Sequence, residues 1–238
     1  MSTRGLIWLF LLALPPLLGL LLPLRLALGM VDLERAGLGA AGSSGSLWRG
    51  RLQDARLHGR ALGDVDVRLS PWPLLTGTRE LVVRSATLRA SLLQGARRGI
   101  RDANGTLTLE DLDLAPGLAL VLDASDVHLV FVGDACRNAS GRIGLALHPA
   151  AGGEPFAVLE GAAACDGRAA TVAWMPSGAA SGPFAALRVD ARIEPDGAWR
   201  LQSVVPGVDD AREAAALELA GFRPGPAGWS RIDNGTFP

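Results

Sequence analysis

Residues 5–24 form an uncharged run, dominated by Leu and fenced by Arg4 and Arg25. A bilayer core of about 30 Å takes about 20 helical residues, so a run of this length reads as a membrane span. A secretory h-region is usually about 7–15 residues long, with a small-x-small cleavage site directly after it. Here Pro15 and Pro16 interrupt the middle, and the small residues Gly39, Ala40, Ala41 and Gly42 come only after Asp32, Glu34 and Arg35. The expectation is an uncleaved anchor: a stub over 1–4, a transmembrane helix over 5–25, a juxtamembrane linker over 26–44 and a β-rich domain over 45–238. Prolines kink a helix, and membrane helices tolerate them better than soluble ones. The flanking arginines, Arg4 against Arg25 and Arg35, nearly balance. Orientation then rests on the very short amino-terminal flank, which leaves the large domain as the translocated part.

The charge balance excludes one class of partner. The chain carries 23 basic residues, all Arg, against 24 acidic ones, for a net charge of -1. There is no electrostatic footprint for nucleic acid.

After the anchor the apolar periodicity changes to two. Leu62, Val65, Val67 and Leu69 are separated by Asp64, Asp66 and Arg68, which predicts a strand with one buried and one wet face. Ser70-Pro71-Trp72-Pro73 ends it, since proline cannot donate to a ladder. A second strand is expected over 80–93. Asn104-Gly105 reads as a turn before a strand over 106–114, whose apolar parity shifts between Leu109 and Leu112, as at a bulge. Val127, Leu129 and Phe131 alternate, as do Ile143, Leu145 and Leu147. Residues 156–164 and 169–175 are more continuously apolar and read as strands covered on both sides. The clearest hairpin joins Leu187, Val189, Ala191 and Ile193 to Trp199, Leu201 and Ser203 through Pro195-Asp196-Gly197. Strands joined by turns, with no long helix between them, predict a mainly β fold: a twisted, curved antiparallel sheet.

One short helix is expected near the end. Asp210 can cap it, Glu213 stands at the capping-box position, residues 211–219 are good helix formers, Gly221 sits past the end and Pro224 forbids continuation. Residues 229–237 then read as a terminal strand.

Chemistry is sparse. His58, His128 and His148 lack ligand partners at zinc-site spacing, so neither metal nor cofactor is expected. Asp64 with Asp66, and Asp111 with Asp113, share strand faces and read as solvated edges. No nucleophile elbow or phosphate-binding loop is present, so the chain is not expected to be an enzyme. Cys136 and Cys165 are the only cysteines. They fit either one structural disulfide beyond the membrane or two small buried hydrophobes. Trp48, Trp72 and Trp229 suit core packing or a hydrophobic partner surface.

The order of these pieces is also familiar. An anchor, then Gly45-Ser46-Leu47-Trp48-Arg49-Gly50-Arg51-Leu52, then a strand ending at Trp72-Pro73-Leu74-Leu75-Thr76-Gly77, resembles the type II secretion system protein N family. The end is similar too: a short Ala/Leu helix, Gly221-Phe222-Arg223-Pro224, and Gly228-Trp229-Ser230-Arg231-Ile232. The likeness covers almost the whole chain. It implies a single-pass inner-membrane component, with its domain in the periplasm, of the machine that moves folded proteins across the outer membrane. The implied partners are the inner-membrane platform proteins and the outer-membrane secretin. A rival reading is a membrane-anchored β groove that binds a lipid or another hydrophobe. The expected topology has a direct check: alkaline phosphatase fused after Pro238 should be active, and a silent fusion that is nevertheless made in full would invert the orientation.

Overall fold

The computed structural model describes residues 38–46, 48–57, 60–110, 118–149, 152–178 and 184–236. The apolar run, His58 and the Asp111/Asp113 pair lie outside them, as does the expected parity shift at Leu112. Among the described residues no helix is long and apolar enough to cross a membrane.

The described chain forms one antiparallel sheet. Its strands are β1 (Leu38–Gly39), β2 (Gly42–Ser46), β3 (Arg49–Leu57), β4 (Arg60–Ser70), β5 (Thr78–Arg84), β6 (Leu88–Gly95), β7 (Arg97–Glu110) and β8 (Leu118–Val132). They continue with β9 (Ala135–Pro149), β10 (Ala157–Asp166), β11 (Ala169–Pro176), β12 (Arg188–Ile193), β13 (Ala198–Val205), β14 (Arg223–Gly225) and β15 (Gly228–Thr236). Strands β3 to β13 neighbour one another in chain order; β15 follows β13, with β14 outside it, and β1 and β2 both pair with β3. The sheet therefore begins inside the stretch read as a linker. Two short helices interrupt it: α1 (Pro71–Leu74), where only a strand end was expected, and α2 (Ala211–Leu219).

Cross-strand register explains why the sheet from β8 onward buries one face, because residues directly opposite share a face. One row runs Ala124, Ile143, Gly161, Trp174, Val189, Ser203 and Arg231 across seven strands. Leu122, Leu145 and Leu159 lie in the next row. Gly161 is the notch in this face. A side chain there would sit 2.9 Å from Trp174 Cδ1. The indole lies over the gap, and its Nε1–H donates to the Ile143 carbonyl two strands away at 2.8 Å.

The apolar face continues through three irregular strands because each takes one extra residue. In β3 the inward pair is Leu52 and Ala55, in β7 Ile100 and Ala103, and in β8 Ala124 and Val127, three apart instead of two. The register shifts at these points. The residue before the second apolar position is Asp each time: Asp54, Asp102 and Asp126, with φ of 47°, 53° and 53°. Aspartate adopts this left-handed conformation more readily than most residues. These are bulges that restore inward parity.

The sheet curls. A single cavity is lined by Leu120 of β8, Leu159 of β10, Leu201 of β13 and Arg231 of β15. Along a flat sheet β8 and β15 would stand six strand spacings apart, about 29 Å at ~4.8 Å each. The free side of the curl is closed by α2 and its flanks, where Leu217, Ala220 and Phe222 are buried with Phe184. The helix ends follow the sequence: Asp210 accepts from the Arg212 N–H at 2.7 Å. At the other end the Phe222 N–H reaches the Leu217 carbonyl and the Gly221 N–H reaches that of Glu218, a Schellman motif with Gly221 at φ 82°.

Some expectations need correction. Residues 80–93 are two strands, not one. The Ser85 hydroxyl accepts from the Thr87 and Leu88 N–H groups and fixes a tight turn between β5 and β6. Asn104-Gly105 is no turn but the middle of β7: Asn104 Oδ1 accepts from the Asp126 N–H of β8 at 2.9 Å, and Gly105, at φ 119°, lies against the Thr87 carbonyl. Strands β10 and β11 are covered on one face only, because Glu160, Ala162, Ala164, Ala173 and Met175 are exposed; alanine on the wet face made them look apolar throughout.

Asp54 is exposed, so its conformation can be tested apart from burial. Asp54→Val should lower stability by about 1–3 kcal/mol, the cost of a branched residue at positive φ, while Asp54→Gly should stay within about 1 kcal/mol. Urea midpoints at unchanged m-value are the readout.

Candidate functional site

In an antiparallel meander the turns alternate between two ends. Leu38 pairs with Leu57, so the chain joins the sheet at the end where β3 stops and β4 starts. The other end carries the turns β2–β3, β4–β5, β6–β7, β8–β9, β10–β11 and β12–β13. It is called the tip below.

At the tip, β4 gives way to α1. Ser70 precedes it without a side-chain cap, Pro71 occupies the first turn, and none of its residues is buried. Backbone bonds hold it: Leu75 N–H to Trp72 O, Thr76 N–H to Pro73 O and Gly77 N–H to Leu74 O, with the Thr76 hydroxyl donating to Pro73 O at 2.9 Å. Gly77 at φ 72° turns the chain into β5. The result is an ordered knuckle on which Trp72 is 77% exposed, Leu75 80% and Leu74 37%. These large apolar side chains, left out of the core on a turn fixed by its own backbone bonds, make the knuckle a candidate contact surface.

The other tryptophans take different places. Trp229 packs against the core and Trp174 is buried in it; Trp48, in the β2–β3 turn, is half-buried. Of the three tryptophans named from sequence, Trp72 alone is mostly exposed.

Cys136 and Cys165 are joined, with Cα atoms 5.7 Å apart. Their position has a purpose visible in the ladder. The β9–β10 pairing runs from Leu147/Ala157 to Arg142/Ala162 and stops there. Beyond that point β9 pairs only with β8, and β10 only with β11. The disulfide closes this seam near the tip, beside a backbone bond from the Cys136 N–H to the Arg168 carbonyl at 2.9 Å.

Two further places could carry chemistry. Sequence spacing hid the first: the β7 and β8 bulges bring Asp102, Asp126 and His128 together, with ligand atoms within 4.8 Å. Nδ1 of His128 accepts from the Asp102 N–H at 3.4 Å. Its Nε2 stands 3.5 Å from Asp126 Oδ1 and 3.9 Å from Asp102 Oδ1. The ring is engaged from both sides. It links the two bulges, next to the Glu80–Arg101–Asp102 ion pairs. The second is the cavity under α2, about 130 Å³ and lined almost wholly by Leu, Phe, Val and Ala. Pockets for organic ligands usually run to about 300–1,000 Å³. At its edge, Arg231 already donates to Asp233 and to the Ala220 carbonyl.

The electrostatics tell of surface pairing. Asp66 is held below the usual carboxylate range by its hydrogen bond from Arg51. Arg192 is held above its ordinary value by its hydrogen bonds to Asp166 and then Glu194. Both pairs stand on the outer face in water, where such pairs add little to stability.

This architecture defines a class: a large curled antiparallel sheet with an ordered apolar knuckle at one end. The family model for type II secretion system (T2SS), protein N matches residues 36–233, so the chain belongs to that family and is a component of the type II secretion system. No curated protein and no solved structure matches it.

The disulfide's contribution is measurable. For a sequence separation of 29, the chain-entropy model assigns about 3–4 kcal/mol. A Cys136→Ala, Cys165→Ala variant should lose that much in urea unfolding. Reductant should bring the parent chain down to the same midpoint and leave the variant unmoved.

Proposed function

We propose that this protein is an inner-membrane-anchored, non-enzymatic docking component of the type II secretion machine, with its sheet in the periplasm. Its partners are other components of that machine, on the inner-membrane platform and at the secretin. The observation that carries the reading is the knuckle over Trp72–Leu75. A chain that buries Trp174, Phe184 and Phe222 leaves one Trp and two Leu in water on a turn fixed by its own backbone bonds. Such a group buries little on folding and gains most from contact with another molecule.

The hydrophobe-carrier reading is less favoured. It calls for an open apolar groove, whereas Trp174, Leu159, Phe184 and Phe222 fill the inner face and leave about 130 Å³.

Removing the knuckle should separate binding from folding. Trp72→Ala with Leu75→Ala should leave stability within about 0.5 kcal/mol, as expected of exposed positions. Secretion of type II substrates should fall several-fold, with those substrates accumulating in the periplasm. Parent-level secretion by the double variant would overturn the reading.

A further inference from the structure

The knuckle shares its end of the sheet with a group of arginines. Arg49 opens β3, Arg68 is two residues from the end of β4, Arg79 is second in β5, and Arg97 and Arg98 open β7. All five are exposed and all stand at the tip end of their strands. Register sets them on β3, β4, β5 and β7, on either side of the β4–β5 connection. Ser70 faces Glu80 in the last β4–β5 pair, which puts Arg79 just past it on the knuckle side; Arg79 faces Gln94, and Arg98 stands on the strand beyond. By parity Arg79 and Arg98 stand on the inner face, and Arg49, Arg68 and Arg97 on the outer.

The carboxylates nearby do not balance this. Glu80 is buried and bound to Arg101 at 2.6 Å. Asp66 is taken by Arg51. Asp134 sits one turn further along, beside the Gly133 carbonyl that accepts from Arg98 at 2.9 Å. Among the described residues no carboxylate pairs with Arg49, Arg68, Arg79 or Arg97. In a chain with net charge -1 overall, this local excess is a property of the tip.

Building on the docking role proposed above, we infer that the tip receives an acidic protein segment, one that seats an apolar side chain against Trp72 and Leu75 and sets carboxylates among the surrounding arginines. An apolar anchor inside a charged rim is the arrangement of a protein hot spot, and arginine binds carboxylates with a two-pronged fork. A protein fits better than a lipid surface for a geometric reason. Strand β4 is 11 residues long, about 36 Å at ~3.3 Å per residue. It separates the knuckle from the end of the sheet at which the chain joins it after the apolar run. A sheet tethered there holds its tip away from its own bilayer whenever the strands stand up from the membrane.

The test places a photoreactive p-benzoylphenylalanine at position 75 of the full chain, expressed in cells with an intact type II system, and maps the adduct by mass spectrometry. The expected adduct lies on a secretion component, in a segment with an excess of Asp and Glu around an apolar residue. Arg79→Glu, Arg97→Glu and Arg98→Glu together should cut its yield about 10-fold or more, and the three Lys replacements should keep most of it. Should the Glu variant fold poorly, salt gives the same information: in isolated membranes the parent yield should fall several-fold between low and high ionic strength. An adduct on a neutral or basic segment of a secretion component, or a yield indifferent to charge reversal and to salt, would overturn the acidic assignment and leave the docking role standing. Phospholipid adducts alone, or no adduct, would overturn both.

Discussion

Everything here depends on keeping apolar side chains on one face of a sheet that passes through more than a dozen strands. A strand offers its two faces alternately, so a single inserted residue would turn the rest of its inward set to water. The three aspartate bulges prevent that. At Asp54, Asp102 and Asp126 the backbone turns through positive φ, takes up the extra residue and returns the next apolar side chain to the inside. The inner row can then run from Ala124 to Val189 without a break. Bulges also add local right-handed twist, and twist accumulated over many strands is what lets a sheet curl onto itself.

A curled sheet that does not close has weak places, and the remaining features sit on them. The open side is filled by α2, whose capped start and Schellman end direct Leu217 and Phe222 inward. The point where β9 and β10 part is held by Cys136–Cys165. The notch over Gly161 in the inner face is filled by Trp174, which satisfies its own N–H on Ile143 as it does so. Each is a local answer to the same problem, apolar surface or unpaired backbone left over by an irregular sheet.

Sequence showed the regular parts of this design and concealed the irregular ones. The β12–β13 hairpin and α2 were legible because their signals are local: Pro195-Asp196-Gly197 between two alternating runs, and Asp210 and Gly221 around a helix-forming stretch. The Ser85 turn was not, since one serine hydroxyl replaces the Gly or Pro that normally marks a break. Asn104-Gly105 misled because both residues serve a neighbouring strand, not a turn. The bulges did leave a signal: apolar, polar, Asp, apolar recurs at 52–55, 100–103 and 124–127. Read with period two, each looked like noise. The Asp102/Asp126/His128 group was out of reach, since it exists only once two bulges are in register. At the candidate site Trp72 could be named, but whether it was buried depended on how α1 leaves β4.

That difference between Trp72 and Trp174 bears on how the protein works. Trp72 follows strand β4 and Trp174 lies within β11, and both bring a large ring that gains from leaving water. One finds a glycine notch and a carbonyl acceptor two strands away; the other is carried on a proline-started turn beyond the last ladder bond. Nothing in folding required that turn to be apolar, since a β4–β5 connection of Gly, Asn and Asp would close the same hairpin with less exposed hydrocarbon. The tight turns at the same end, Gly133-Asp134 and Asp166-Gly167, are of that polar kind. An apolar knuckle at a position where polar residues would suffice is best explained by contact with something outside the fold. On the docking role proposed above, the rest of the sheet holds that knuckle at the far end of its strands from where the chain joins it.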